Sequence, residues 1–125
     1  MNKNKDSNNR IIVATYDKKY NKKLGLNFPV GSIWLYKGLS KHVKKRHPNC
    51  LKYIDYIGGI ISSPDYIGHN SSHDVSVEFI KKIDENILVA VKMDVDNGYL
   101  YVASLYSITE NKLKKKLANG RLKKL

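Results

Sequence analysis

Residues 41–47 read KHVKKRH, two imidazoles and four cations in seven consecutive positions, and Pro48 stops the run. Breaking an RNA chain through its own 2′-hydroxyl needs a base for that proton, an acid for the leaving 5′-oxygen and a cation for the charge on phosphorus. Imidazole suits either proton role, since its ordinary pKa of about 6.5 lies near neutral pH. On a helix His42 shares a face with Lys45 at i+3 and Arg46 at i+4, so His42 is the expected acid or base, with Lys45 and Arg46 as phosphate ligands. His47 lies about 140° around the helix from His42. It falls on the stripe of Leu39 and Val43, which predicts a partly buried histidine at the helix end. The plainer alternative for the whole stretch is a solvated basic helix.

The rest of the chain narrows the chemistry. HNSSH, residues 69–73, spaces two histidines as a helix would for a metal, but Gly68, Asn70, Ser71 and Ser72 oppose helix and no Cys or Glu completes a ligand set. No metal and no cofactor is expected, and phosphate-loop, nucleophile-elbow and dinucleotide-binding motifs do not occur. One cysteine, Cys50, excludes an internal disulfide and suits a reducing cytoplasm. No leader pattern opens the chain, and no apolar run approaches the roughly 20 residues of a spanning helix, so a soluble protein without membrane contact is expected. The formal charge of +12, from 23 Lys and Arg against 11 Asp and Glu, is spread along the chain and points to a polyanionic partner, nucleic acid before any other.

These residues need elements to hold them. Residues 1–10 are polar and expected to be a mobile tail, with a single domain over 11–125. IIVATY (11–16) and GSIWLY (31–36) predict strands, with a Lys- and Asn-rich loop between them. Helical spacing begins near Ser40, Pro48 ends that helix, and Leu51, Ile54, Ile57 and Ile61 predict a second helix over 48–61. YIGHNSSHD (66–74) reads as a polar loop. Period two then returns at Val75 to Phe79, Ile87 to Met93 and Tyr99 to Leu105, joined by DEN and DNG turns, which predicts an antiparallel meander. SITE (107–110) has capping-box form, so a helix is expected over about 108–118 with Leu113 and Leu117 inward and Gly120 past its end. KLKKKLANGRLKKL (112–125), with seven cations, reads as a phosphate-tracking or solvated helix. The expected class is α+β, with N-terminal helices packed on one face of a twisted antiparallel meander and a basic C-terminal helix.

In that order KHVKKRHP, IISSPDYIG, ILVAVKMD and YLYVASLYSI resemble the phage-type barnase/EndoU/colicin/RelE-like nucleases over residues 31–118. Those domains show a K/R-H-x-x-x-x-H segment, a downstream Pro-Asp-x-Ile and a late strand of the form Y-x-V-x-S/T-x-Y. The resemblance implies a metal-independent endoribonuclease leaving a 2′,3′-cyclic phosphate and a 5′-hydroxyl, with RNA lying across the sheet. It implies a toxin or a phage- or mobile-element effector with structured RNA such as tRNA as its target; the basic charge separately admits an acidic inhibitor protein as a partner. The family's two histidines fall on His42 and His47, its strand hydroxyl on Ser104 and its aromatic on Tyr106. Ser104 and Tyr106 share one face of a strand by the period-two rule, suited to bonding phosphate, orienting an imidazole or stacking on a base. Lys92, opposite in face to Val91 and Met93, is a candidate phosphate ligand, as is Arg121 near the terminus. Two other classes fit the same charge: a catalytically silent RNA- or DNA-binding module, and a protein-interaction domain that docks an acidic partner.

Overall fold

The computed structural model describes residues 9–70 and 76–125. Along the chain come β1 (Arg10–Tyr16), α1 (Lys18–Leu24), β2 (Gly31–Tyr36), α2 (Gly38–Arg46), a 3-10 helix (Pro48–Tyr56) and α3 (Ile57–Ser62). They are followed by β3 (Tyr66–Asn70), β4 (Ser76–Lys82), β5 (Asn86–Met93), β6 (Leu100–Ile108), α4 (Glu110–Ala118) and β7 (Leu122–Lys124). Among the described residues, the seven strands join one sheet in the order β1-β2-β6-β5-β4-β3-β7, so the domain is mixed α and β. Strands β4, β5 and β6 form its antiparallel centre. The sheet is not purely antiparallel as expected: β2 runs parallel to β6 at Ile33↔Leu100 and Trp34↔Tyr101. A parallel neighbour requires a long crossover, which residues 37–99 provide.

Several expectations are corrected. The segment read as a loop between the first strands contains α1, which Asp17 caps by accepting the Lys19 N–H at 2.8 Å and Gly25 ends at φ 67°. The expected loop at residue 66 begins as β3, held by backbone pairing on both sides, with β4 and with β7. The basic tail does not stay helical, because after Gly120 (φ 79°) residues 122–124 pair with β3. The α4 cap is Thr109, whose Oγ1 accepts the Lys112 N–H at 3.2 Å; Ser107 stays in β6 opposite Ile87, and Glu110 bonds Asn86 instead. The second helix expected over 48–61 starts as a 3-10 turn and becomes α-helical at Ile57. Of the expected tail, residues 1–8 lie outside the described residues, while Arg10 already pairs with Tyr36.

Period two sorts the strand residues onto two faces. On the first, Ile33, Ile67, Val77, Phe79, Val89, Val91 and Leu105 pack under Tyr20 of α1, Leu39 and Val43 of α2, Tyr53 of the 3-10 helix and Ile57, Ile60 and Ile61 of α3. Each large side chain buried there contributes about 1.5–3 kcal/mol. Tyr20 meets Phe79 edge-on at 5.2 Å and donates its hydroxyl proton to the Ile61 carbonyl at 2.6 Å, so its one polar atom is satisfied. On the second face Ile80, Leu88, Ala90 and Ile108 pack under Leu113 of α4 and Leu122 of β7. The helices therefore do not all lie on one face. No described helix is long and apolar enough to cross a membrane.

Candidate active site on the second face of the sheet

β2 leaves β6 after two paired residues, and α2 packs beside β6 beyond that point. Leu39 and Val43 tie α2 into the first core, while the residue that follows its last turn meets β6. His47 closes the helix there. Its N–H donates to the Val43 carbonyl at 2.7 Å, and its own carbonyl accepts the Cys50 N–H at 2.8 Å. Pro48 has no N–H with which to extend the ladder and opens the 3-10 helix instead. The junction fixes the half-buried His47 ring against Tyr106, with ring centroids 5.4 Å apart and planes inclined by 32°.

Tyr106 pairs with Leu88 and Ser104 with Ala90, so both point to the second face, about 7 Å apart along the strand. A register shift between Ala90 and Val91 then offsets the next row, in which Lys92 lies between Ser76 and Tyr101. Glu78 pairs with Ala90 from the other side and is 4% exposed. An unpaired carboxylate there would cost several kcal/mol, and Lys116 of α4 offsets it with Nζ 3.2 Å from Oε1. Burial foremost, and then the Glu78 charge, pushes the Tyr106 phenol above its ordinary range, while the Arg121 guanidinium draws it partly back. The phenol therefore keeps its proton at neutral pH and has a hydrogen to donate.

Arg121 arrives by a close approach of chain to sheet. Its N–H donates to the Lys116 carbonyl at 3.0 Å, and β7 then lies across β3 with Gly68 opposite Leu122. A Cβ on Gly68 would collide with the Arg121 carbonyl and lie 2.7 Å from Leu122 Cδ2, so glycine is needed at that position.

Of the residues expected from sequence, the fold sets the His47 ring against Tyr106 and brings the Arg121 charge to bear on that phenol, while Ser104 and Lys92 lie in successive rows further along the same face. His42, Lys45 and Arg46 are exposed on α2, and among the described residues no hydrogen bond, ion pair or ring contact joins them to Tyr106 or Ser104. His69 sits in β3 opposite Val77, facing the first core, and its HNSSH partner His73 lies outside the described residues. Among the described residues no group of three or more His, Cys, Asp or Glu side chains is arranged to hold a metal ion. Glu78 and Lys116 were not anticipated. The alternation VSVEFI put Glu78 on the face away from Val77 and Phe79, and Lys116 is three residues beyond Leu113, so both positions were readable; their pairing was not.

An imidazole, a phenol, a hydroxyl and cations thus lie along the second face of the sheet in a domain of charge +12. The family model described as phage-Barnase-EndoU-ColicinE5/D-RelE like nuclease3 matches residues 10–115, and the chain belongs to that nuclease family. The match starts at the first residue of β1 and ends within α4, so Arg121 and β7 lie beyond it. No curated protein and no solved structure matches the chain.

Proposed function

We propose that this nuclease domain is an endoribonuclease that needs no metal and cleaves by attack of the 2′-hydroxyl, leaving a 2′,3′-cyclic phosphate and a 5′-hydroxyl. The observation that carries the reading is the His47 ring fixed against Tyr106, with Ser104 two residues away on the same face. RNA brings its own nucleophile. Its cleavage therefore needs only proton transfer and stabilisation of charge at phosphorus, and an imidazole with phenol, hydroxyl and ammonium donors supplies both. His47 takes the proton-transfer role, and Tyr106 and Ser104 donate to the phosphoryl oxygens or the leaving group. Lys92 and Arg121 bind phosphate, while the exposed His42, Lys45 and Arg46 extend the anion-binding surface along α2. A chain that cuts RNA in its own cytoplasm needs restraint, and a +12 surface offers an acidic inhibitor protein a docking face, which fits a toxin or mobile-element effector.

The test is incubation with total tRNA in EDTA, with the cut ends sequenced. Discrete products ending in cyclic phosphate are expected, and a 2′-deoxy nucleotide at the cut position should abolish them. His47→Ala should lower the cleavage rate about 100- to 10,000-fold while RNA binding survives. His42→Ala should leave the rate within about tenfold, and the opposite pattern would move the proton-transfer role to His42. Intact RNA under all these conditions, with binding retained, would leave a silent binding module.

A further inference from the structure

Beyond Lys92 the second face carries a cluster for which the cleavage chemistry has no use. Tyr101 pairs with Lys92 on one side and Trp34 on the other, and Arg10 of the edge strand β1 pairs with Tyr36 of β2. The Arg10 guanidinium carbon lies 3.9 Å from the Trp34 ring centroid, 4.7 Å from that of Tyr99 and 5.9 Å from that of Tyr36. Tyr36 and Tyr99 share a hydroxyl hydrogen bond of 2.6 Å; Tyr101 meets Tyr36 edge-on at 6.4 Å and lies 6.2 Å from Tyr99 with the planes inclined by 53°. All five residues are only half-buried.

A cluster serving the core alone would be covered, and a solvated edge would not assemble three rings around one arginine with a fourth ring packed against them. Aromatic faces exposed on a sheet stack nucleobases with little regard to sequence. An arginine held among rings loses less freedom on meeting a phosphate than one in open solvent. Ser104 and Tyr101 are about 10 Å apart along β6, so a strand bound across the site runs onto the cluster within a nucleotide or two.

We propose that Arg10, Trp34, Tyr36, Tyr99 and Tyr101 form a nucleotide subsite for an unpaired stretch of the RNA flanking the cut, bases stacked on the rings and phosphate on Arg10. This rests on the endoribonuclease reading for its substrate and adds that the substrate must be single-stranded beside the cut, since a paired base cannot present its face.

Trp34 is the chain's only tryptophan, so its emission reports this subsite directly. The experiment titrates the whole chain with an uncleavable 2′-O-methyl RNA hexamer, and with an abasic hexamer of the same backbone, following Trp34 emission and fluorescence polarisation together. The base-bearing hexamer should change the emission saturably, and the abasic one should bind about 10- to 100-fold more weakly and leave the emission unmoved. Tyr101→Ala should weaken the base-bearing hexamer by a similar factor without affecting the abasic one, and Tyr101→Phe should restore it. Should Tyr101→Ala fail to fold, the comparison of hexamers on the unaltered chain still decides. Binding without a change in Trp34 emission, equal response to both hexamers, or no binding of either would overturn the subsite. A saturable response from a chain that cuts no RNA would sink the endoribonuclease reading and leave the subsite standing.

Discussion

The same strands build both faces of the sheet, yet the faces have little else in common. The first is apolar from β2 to β3 and covered by α1, α2, the 3-10 helix and α3. The second is apolar only where Leu113 and Leu122 cover it; its other end carries Lys92, Ser104, Tyr101, Trp34 and Arg10. Because the period is two, each chemical residue is flanked by core residues: Lys92 by Val91 and Met93, Ser104 by Leu105, Glu78 by Val77 and Phe79. The site thus stands on strands already fixed by the opposite face, a firmer mounting than loops provide. The fold can lose its chemistry without losing its core, and neighbouring substitutions test that separation.

The largest contrast is between Val91 and Lys92. Val91 is fully buried in the first core, and Val91→Asp puts an unpaired carboxylate there at a cost of several kcal/mol, against a stability of about 5–15 for a domain of this kind. Urea titration followed by circular dichroism should find the variant largely unfolded. Lys92→Asp should keep the native midpoint to within about 1 kcal/mol and weaken RNA binding. If both variants unfolded, or Val91→Asp stayed folded, the division of labour between the faces would be wrong.

That division was partly legible in the sequence. The meander was readable because a half-buried strand must alternate, and Ser104 and Tyr106 shared a face by the same rule. α2 was readable through Leu39 and Val43. α1 was missed because its seven residues bury only Tyr20 fully, too little apolar material to display a period. β3 and β7 were missed because backbone pairing with neighbours makes them strands; Gly68 and the lysines of the tail carry no such signal, and only tertiary packing demands Gly68. The pairing of His47 with Tyr106 depends on α2 running along the edge that β2 vacates, a relation between distant segments that spacing cannot encode. Arg10, taken as part of a mobile tail, is ordered by aromatic neighbours 24 and more positions away in sequence.

A smaller effect sharpens the comparison by attacking the second face through its charges. Lys116→Ala leaves Glu78 buried beside Tyr106 with its partner removed. The Lys116 side chain is itself 19% exposed, so the loss should be about 2–3 kcal/mol, under the 3–5 of a fully buried pair. The double variant Glu78→Gln with Lys116→Met should recover most of it. A urea midpoint that falls equally in the single and double variants would mean that the pair acts through packing and not charge.

Smaller still is the disturbance expected from Gly68→Ala. The added Cβ meets the Arg121 carbonyl and Leu122, so β7 must shift, costing about 1–3 kcal/mol. Hydrogen exchange should quicken at Ile67 and Leu122 to Lys124, which pair across β3 and β7, and stay slow at Val89 and Val91. Loss of protection in the first core as well would show that the faces are coupled more tightly than their packing suggests.

The smallest effect separates the two ends of the pH scale. The Asn86 hydrogen bond at 2.9 Å, with the Lys82 charge at 3.7 Å, holds the Glu110 carboxyl below its usual range. A lowered folded pKa gives stability that is present above the unfolded value of about 4.3 and is lost as pH falls through the folded value. Burial, and then Asp84, push Tyr53 of the 3-10 helix up to about 12. Its contribution has the opposite sense: present below the unfolded value of about 10, and lost as pH rises through the folded one. Acid should therefore loosen the start of α4 on the second face, and alkali the helices over the first. Glu110→Gln should be slightly less stable than the native chain at neutral pH, with the difference in melting temperature closing below about pH 4. Tyr53→Phe should narrow the loss of melting temperature above about pH 10 while leaving the acid limb unchanged. If Glu110→Gln altered the alkaline limb, or Tyr53→Phe the acid one, titration would not distinguish the faces, and the separation would hold for packing alone.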